Sequence, residues 1–279
     1  MFLAPINKII DLSTVDGPGL RTTIFVQKCN IHCLYCHNPE TQNLCISCGE
    51  CIKACPKKAL TIIDGKVIWN KDRCCFCDTC INICKHNASP KIEYLSANEV
   101  YSRIKPNLGF IRGITVSGGE CSLYPEFLIE LFQLAKNDGL TCLMDSNGMI
   151  NYSKYPRLMS ICDGVMLDIK SWEANIYKNL VGYSNDMVKK NLKYLDSINK
   201  IEELRIVVVP DYVDYKSCID GIYNSVSHEH LASMKLKLIS FRNNGVKGIL
   251  KNHPSPSKEL MDDLKSYALS LGFNKVEIR

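Results

Sequence analysis

The chain has 279 residues, 46% of them hydrophobic and 23% charged; these are globular-protein values, with room for one large α/β domain plus a small insert or for two modest domains. Its net charge of +5 comes from scattered basic residues without a long run, so neither a nucleic-acid nor a membrane partner is expected. Cysteine is the outlier at 16, and because Met1–Ile6 lacks the features of an export signal, the thiols are expected to serve metal sites in the reducing cytoplasm.

Val15-Asp16-Gly17-Pro18-Gly19-Leu20-Arg21 forces a turn, since Gly-Pro-Gly cannot continue a helix or strand. Thr23–Val26 then reads as a buried strand from its β-branched and aromatic residues. It runs into Cys29-Asn30-Ile31-His32-Cys33-Leu34-Tyr35-Cys36. Three thiolates on one short loop suit a soft metal centre. An iron–sulfur cubane takes four ligands, so Cys29, Cys33 and Cys36 would leave one iron open for chemistry. By itself the loop also fits part of a zinc site or of a disulfide framework.

From Leu44 to about Pro90 the composition changes. Cys45-x2-Cys48-x2-Cys51-x3-Cys55-Pro56 is followed by Cys74-x2-Cys77-x2-Cys80-x3-Cys84. This is bacterial ferredoxin spacing given twice, and there the fourth Cys of each run serves the other cluster. Cys45, Cys48, Cys51 and Cys84 are therefore expected to hold one [4Fe–4S] cluster, and Cys55, Cys74, Cys77 and Cys80 a second. Lys85 replaces the usual Pro of the second run, which removes no ligand. Leu60–Trp69 reads as a β-hairpin around Asp64-Gly65. So small a unit cannot fold on its own core, and the clusters would supply much of its stability.

Beyond the insert, strands are expected at Gly113–Val116, Leu140–Met144, Gly164–Leu167, Leu204–Val209 and Leu236–Ile239. Helices are expected at Ala97–Lys105, Pro125–Lys136, Tyr152–Ile161, Asp186–Ile198, Tyr215–Val226 and Lys258–Leu271. Six strands alternating with helices imply a parallel sheet curled into a partial (β/α)6 barrel. The chain then divides into a barrel part over 1–43, a ferredoxin-like insert over 44–90 and the rest of the barrel over 91–279. Reactive groups in such folds sit at the C-terminal ends of strands. There the sequence places the cysteine loop, Ser117-Gly118-Gly119-Glu120, Asp145-Ser146-Asn147-Gly148, Asp168-Ile169-Lys170 and Ser240-Phe241-Arg242-Asn243-Asn244-Gly245.

These segments, with His37-Asn38-Pro39 after the third cysteine and Val165-Met166-Leu167 before Asp168, occur in an order that resembles the glycyl radical enzyme activases of the radical SAM superfamily. The insert is similar to that of activases carrying a ferredoxin domain, and Gly65–Asn70 and Cys162–Asp168 to the YjjW branch. The resemblance implies that S-adenosylmethionine chelates the open iron held by Cys29, Cys33 and Cys36. Tyr35, Cys36 and His37 would lie against the cofactor. Gly118, Gly119 and Glu120 would receive its methionine amino group, and Asp168, Ile169 and Lys170 would contact ribose and carboxylate. Asp145, Ser146, Met166 and Asp168 match a monovalent-cation site. Where the family typically offers a His after the last strand, this chain has Arg242, which can bond a ribose hydroxyl or a carboxylate but accepts no proton. The implied reaction is reductive cleavage of S-adenosylmethionine to methionine and a 5′-deoxyadenosyl radical, which takes hydrogen from a glycine of a partner glycyl radical enzyme. A low-potential donor such as flavodoxin or ferredoxin would supply the electron, with the insert as relay.

A radical SAM enzyme acting on a small molecule would share the first cluster and the strand-end motifs. A ferredoxin-like electron carrier would need only the insert. Cys142, Cys162 and Cys218 read as core or helix residues, and neither Cys75 nor Cys121 receives a role. His228-Glu229-His230 reads as a solvated loop, since two His rings at i,i+2 on a helix diverge.

Overall fold

The computed structural model describes residues 2–279. The chain begins with β1 (Leu3–Ser13) and β2 (Arg21–Val26), then leaves the sheet for α1 (Glu50–Ala54), β3 (Leu60–Ile63), β4 (Lys66–Trp69) and α2 (Thr79–Asn82). It returns through β5 (Glu93–Ser96), α3 (Ala97–Ile104), β6 (Gly113–Gly118), α4 (Pro125–Asn137), β7 (Thr141–Ser146), α5 (Pro156–Ile161) and β8 (Gly164–Asp168). It ends with α6 (Ala174–Val181), α7 (Asp186–Ser197), β9 (Ile201–Val208), α8 (Tyr215–Tyr223), α9 (His228–Leu231), β10 (Lys235–Ser240), α10 (Lys258–Ser270) and β11 (Lys275–Ile278).

Nine strands form one sheet in the order β11-β10-β9-β8-β7-β6-β2-β1-β5. All neighbours from β2 to β11 pair in parallel, whereas β1 pairs antiparallel with both β2 and β5. The ladder is open, with β5 and β11 at opposite edges. The six expected strands are there; β1, β5 and β11 come in addition. They escape a periodicity reading because β1 mixes Pro5 and Lys8 into its apolar run, and β5 and β11 are only four residues each.

Local chemistry explains where the helices begin. Ser96 caps α3 in a capping box with Glu99, satisfying two backbone donors that would otherwise be bare. Pro125 starts α4, where its missing N–H costs nothing. That helix buries Phe127, Leu128, Leu131, Phe132 and Ala135, and each large side chain so covered contributes about 1.5–3 kcal/mol. The expected helix Tyr152–Ile161 is a 3-10 turn followed by α5, broken at Pro156. Residues 228–231 are a short helix rather than a loop, because His230 Nδ1 lies 2.8 Å from Asp196 Oδ1.

Arg21 closes the N-terminal end of the sheet, opposite the cysteine loop. Fully buried, it donates to Thr115 Oγ1 at 2.8 Å, Ile114 O at 2.6 Å, Thr141 O at 2.9 Å and Thr141 Oγ1 at 2.9 Å. The Gly-Pro-Gly turn packs over it: a Cβ on Gly17 would come within 2.8 Å of Leu143. This segment pins β2, β6 and β7 together at the end remote from the cysteines. Arg21→Met should cost roughly 3 kcal/mol in anaerobic denaturant unfolding, since several acceptors lose their donor. A loss below about 1 kcal/mol would show that water replaces the guanidinium.

Residues 44–90 lie outside the main sheet. The β3–β4 hairpin turns on Asp64 and Gly65, both at positive φ, as a type I′ turn demands. Ile62, Ile63 and Ile68 are exposed, so the hairpin has little core of its own. The segment is tied at its root, where Asn43 bridges to Ala88: Asn43 N donates to Asn87 O at 3.0 Å and Asn43 Nδ2 to His86 O at 2.9 Å.

Candidate active site

The cysteine loop leaves β2 and is fixed at both ends by backbone bonds. Lys28 N donates to Thr41 O at 2.8 Å and Cys29 N to Gln42 O at 2.9 Å. Its middle rests on the C-terminal end of α6, where Leu34 N donates to Leu180 O at 3.0 Å. Helix α6 was not expected from the sequence, yet it supports the loop by supplying the carbonyls that a helix end leaves free.

Cys29, Cys33 and Cys36 border one cavity of about 240 Å³, together with Tyr35, His37, Gly118, Gly119, Glu120, Asp145, Ser146, Asp168 and Lys170. Two expected cofactor residues stand apart. Ile169 is buried in the apolar core and Arg242 is exposed beyond the cavity wall. Its neighbour Phe241 packs 5.9 Å from the His37 ring, and a Cβ on Gly245 would reach within 2.4 Å of His37 O. The last loop therefore touches the site through Phe241, Gly245 and the backbone of Arg242, which bonds His37.

Burial pushes the Cys29 thiol up to about 12, with Glu120 adding to it, and the Cys33 thiol up to about 11. Cys36 rises for the same reason. Three thiols are thus gathered where bare thiolates are costly, and a bound iron cluster would supply the charge that lets them ionise.

The glycines of Ser117-Gly118-Gly119-Glu120 have a packing cause. A Cβ on Gly118 would come within 2.2 Å of Val26 O, and one on Gly119 within 2.2 Å of Lys28 O. Only glycine lets the end of β6 lie flush against the root of the cysteine loop. Glu120 follows, buried, and its Oε1 accepts from Ser122 N at 2.9 Å, Ser122 Oγ at 2.5 Å and Ser146 Oγ at 2.6 Å. Its Oε2 accepts from Asn147 N at 2.8 Å. Burial nonetheless raises its pKa above the usual carboxylate value.

Charged side chains line the wall farther along the sheet. Lys170 Nζ is 2.9 Å from Asp168 Oδ2 and 5.6 Å from the centre of the Tyr35 ring. Burial alone would lower Lys170, but Asp168, Tyr35 and Cys33 outweigh it and hold it well above the usual lysine range. Arg205 reaches Asp145 Oδ1 at 2.8 Å, Glu203 Oε1 at 2.5 Å and Met166 Sδ at 3.0 Å. Lys237 completes the row at 2.8 Å from Glu203 Oε2. Asp145 and Met166, two members of the expected cation site, thus already share a guanidinium.

Sequence reading missed Asn147, Arg205 and Tyr177. Glu203 and Arg205 alternate within a strand otherwise rich in Leu, Ile and Val, which puts them on one face; the neighbouring strands make it the inner one. Tyr177 and Tyr35 each bury a hydroxyl that has no hydrogen-bond partner, and Tyr35 is in the cavity wall. An orphaned donor of this kind suits a polar ligand.

In the insert, Cys45, Cys48, Cys51 and Cys84 border one small cavity, and Cys55, Cys74, Cys77 and Cys80 another. Cys80 touches both, and exposed Cys75 also touches the second. Trp69 lies in the wall of the second cavity with its buried Nε1–H unpartnered. Among the described residues, no three Cys, His, Asp or Glu side chains converge as a single metal ion requires. Cys121, Cys142, Cys162 and Cys218 are buried, and Cys121 Sγ bonds Asp145 O at 3.3 Å.

Residues 23–215 match the family model described as the radical SAM superfamily. The chain is 30% identical over 258 residues to the indoleacetate decarboxylase activating enzyme of Tractidigestivibacter scatoligenes, covering 84% of this chain and 82% of that one. It is 27% identical over 296 residues to a Haemophilus influenzae protein provisionally named a glycyl-radical enzyme activating enzyme, covering 98% and 95%. Among solved structures, Streptococcus suis SuiB bound to S-adenosylmethionine shares the fold, with a TM-score of 0.56 and 11% identity over 91% of this chain and 48% of that chain. No helix among the described residues is long and apolar enough to cross a membrane. Family match, parallel sheet and thiol-lined cavity agree: the chain belongs to the radical SAM superfamily and, within it, to the activating enzymes of glycyl radical enzymes.

Proposed function

We propose that this chain activates a glycyl radical enzyme, with Cys29, Cys33 and Cys36 holding the [4Fe–4S] cluster on which S-adenosylmethionine is cleaved. The observation that carries the reading is the meeting of these thiols with the ends of β6, β7 and β8 in one cavity. When bound, the cluster and S-adenosylmethionine supply one-electron cleavage of a sulfonium bond and a 5′-deoxyadenosyl radical that abstracts hydrogen.

The residues present suit that cofactor. Lys170, paired only with Asp168, offers a cation to a carboxylate, and Asp168 offers acceptors to a ribose. Oε2 of Glu120 has a single protein partner and can accept from the methionine ammonium, beside Gly118 and Gly119. His37, which burial keeps below its usual pKa and hence neutral, can lie against the nucleotide with Tyr35. A monovalent cation at Asp145, Ser146, Met166 and Asp168 would share its ligands with Arg205.

The insert over 44–90 is assigned two further [4Fe–4S] clusters. Support comes from the two thiol-ringed cavities and from the unpartnered Trp69 Nε1–H, which can donate to a cluster sulfur. It would pass electrons from a low-potential carrier such as flavodoxin or ferredoxin to the barrel formed by 1–43 and 91–279.

Anaerobic reconstitution with iron and sulfide tests this. About twelve irons per chain are expected, with 5′-deoxyadenosine formed on adding dithionite and S-adenosylmethionine. A glycyl radical signal should then appear on the partner enzyme. Cleavage without any such signal from a copurifying glycyl radical enzyme would favour a small-molecule substrate. About eight irons and no cleavage would leave only an electron carrier.

A further inference from the structure

One buried side chain of the site has no part in the reading above. Asn147 follows β7 and is 5% exposed. Its Nδ2 donates to Asn30 Oδ1 at 2.8 Å and reaches Cys29 Sγ at 3.6 Å. Its Oδ1 accepts from Met149 N at 3.0 Å, which fixes the amide so that the NH2 group faces the cysteine loop. Its own N–H is held by Glu120 Oε2. Glu120 in turn is clamped by Ser122 and by Ser146, whose hydroxyl also receives Tyr152 Oη at 2.5 Å. A rigid path of hydrogen bonds thus runs from a buried carboxylate to one sulfur of the three-thiol site.

We propose that Asn147 is a positioning residue that donates Nδ2–H to the Cys29 thiolate of the loaded cluster and raises its reduction potential, with Glu120 holding the Asn147 backbone in place. The proposal rests on the assignment of Cys29, Cys33 and Cys36 to the open cluster. A hydrogen bond to a ligating sulfur withdraws electron density and favours the form carrying one more electron. Partners of this kind also orient the ligand they touch. An amide serves better than a charged group here, because it adds no net charge beside three thiolates and cannot lose its donor by titration.

The test is an EPR-monitored redox titration of the [4Fe–4S]2+/1+ couple at the open site, in the wild type, Asn147→Leu, Asn147→Asp and Glu120→Gln. Iron content and S-adenosylmethionine affinity are measured alongside. Asn147→Leu should shift the potential to more negative values with iron content retained. Asn147→Asp, nearly isosteric, should shift it further by putting an acceptor against the sulfur. Glu120→Gln leaves the Asn147 amide in place and removes a carboxylate that opposes charge at Cys29, so it should shift the potential to more positive values, and the sign separates a charge effect from the loss of the Asn147 bond. Cleavage driven by a weak reductant should fall about 10-fold in Asn147→Leu. An unchanged potential in either loaded Asn147 variant overturns the proposal. So does an Asn147 variant that loses only cofactor affinity, which would make Asn147 a plain cofactor contact. If the wild type itself carries no open-site iron, the cluster assignment fails first, and the iron count reports that separately.

Discussion

Cys33→Ala should form no 5′-deoxyadenosine, while about eight irons per chain remain on the insert. Cys33 is one of three thiols bordering the cavity, and nothing nearby replaces it. Cys121, next in sequence to the wall residue Glu120, is fully buried and engaged with the Asp145 carbonyl. The insert thiols ring cavities of their own. With two ligands left, the cluster has no stable seat. The variant should keep its fold, because Cys33 is only half-buried and β2 is anchored by its neighbours in the sheet. Iron analysis, EPR of the dithionite-reduced protein and chromatography of the nucleoside product read the result together. Cleavage at the wild-type rate would remove Cys33 from the open cluster and with it the proposed site.

The second large effect falls on stability. Arg205→Leu should cost about 3–5 kcal/mol, the usual consequence of leaving a buried charge without its partner. Arg205 is the cation paired with Asp145, and it shares Glu203, which is 1% exposed, with Lys235 and Lys237. In thermal unfolding this corresponds to a drop of about 6–20 °C for a chain of this size. Arg205→Lys should recover part of it, since an ammonium keeps the charge but cannot fork to two carboxylates. The sign of the pH dependence follows from burial. Asp145 already has a raised pKa because burial outweighs Arg205 and rises further without it, while Glu203, held below its usual value against burial by Arg205 and Lys237, moves up toward that value. A raised folded-state pKa contributes stability below the unfolded value, about 4, and loses it as pH rises through the folded one. The deficit of Arg205→Leu should therefore be small near pH 4 and grow toward pH 7. A pH-independent loss would place its cause in packing.

What the sequence disclosed and what it hid divide along physical lines. The cysteine spacings were legible because ligand geometry dictates them locally, and the strand-end motifs because each is contiguous. The hairpin at Asp64-Gly65 announced itself by the only residues that tolerate its turn. Helix α6 stayed hidden because, at 8 residues, it is too short for its buried face to repeat. Arg205, Glu203 and Lys237 were obscured for another reason: charge inside an apolar strand signals an inner face only once the neighbouring strands are known. Asn147 looked like half of an Asn-Gly turn, and its reach toward Cys29 depends on β7 lying beside β6. Ile169 is the reverse case: a motif carried it into the cofactor set, and its side chain packs into the core, so only its backbone is left for such a contact.

The joined root of residues 44–90 has an evolutionary consequence. Asn43 and Ala88 pair as neighbouring strands do, so their backbones lie roughly 5 Å apart, a gap that a residue or two can span. The sheet on either side needs nothing from the excursion to keep its register. An ancestral gene could thus have acquired the unit, or a descendant shed it, in one splice without a non-folding intermediate. If residues 44–90 carry electrons as proposed, the supply of electrons would be an exchangeable module, open to selection by habitat while the radical chemistry stayed fixed.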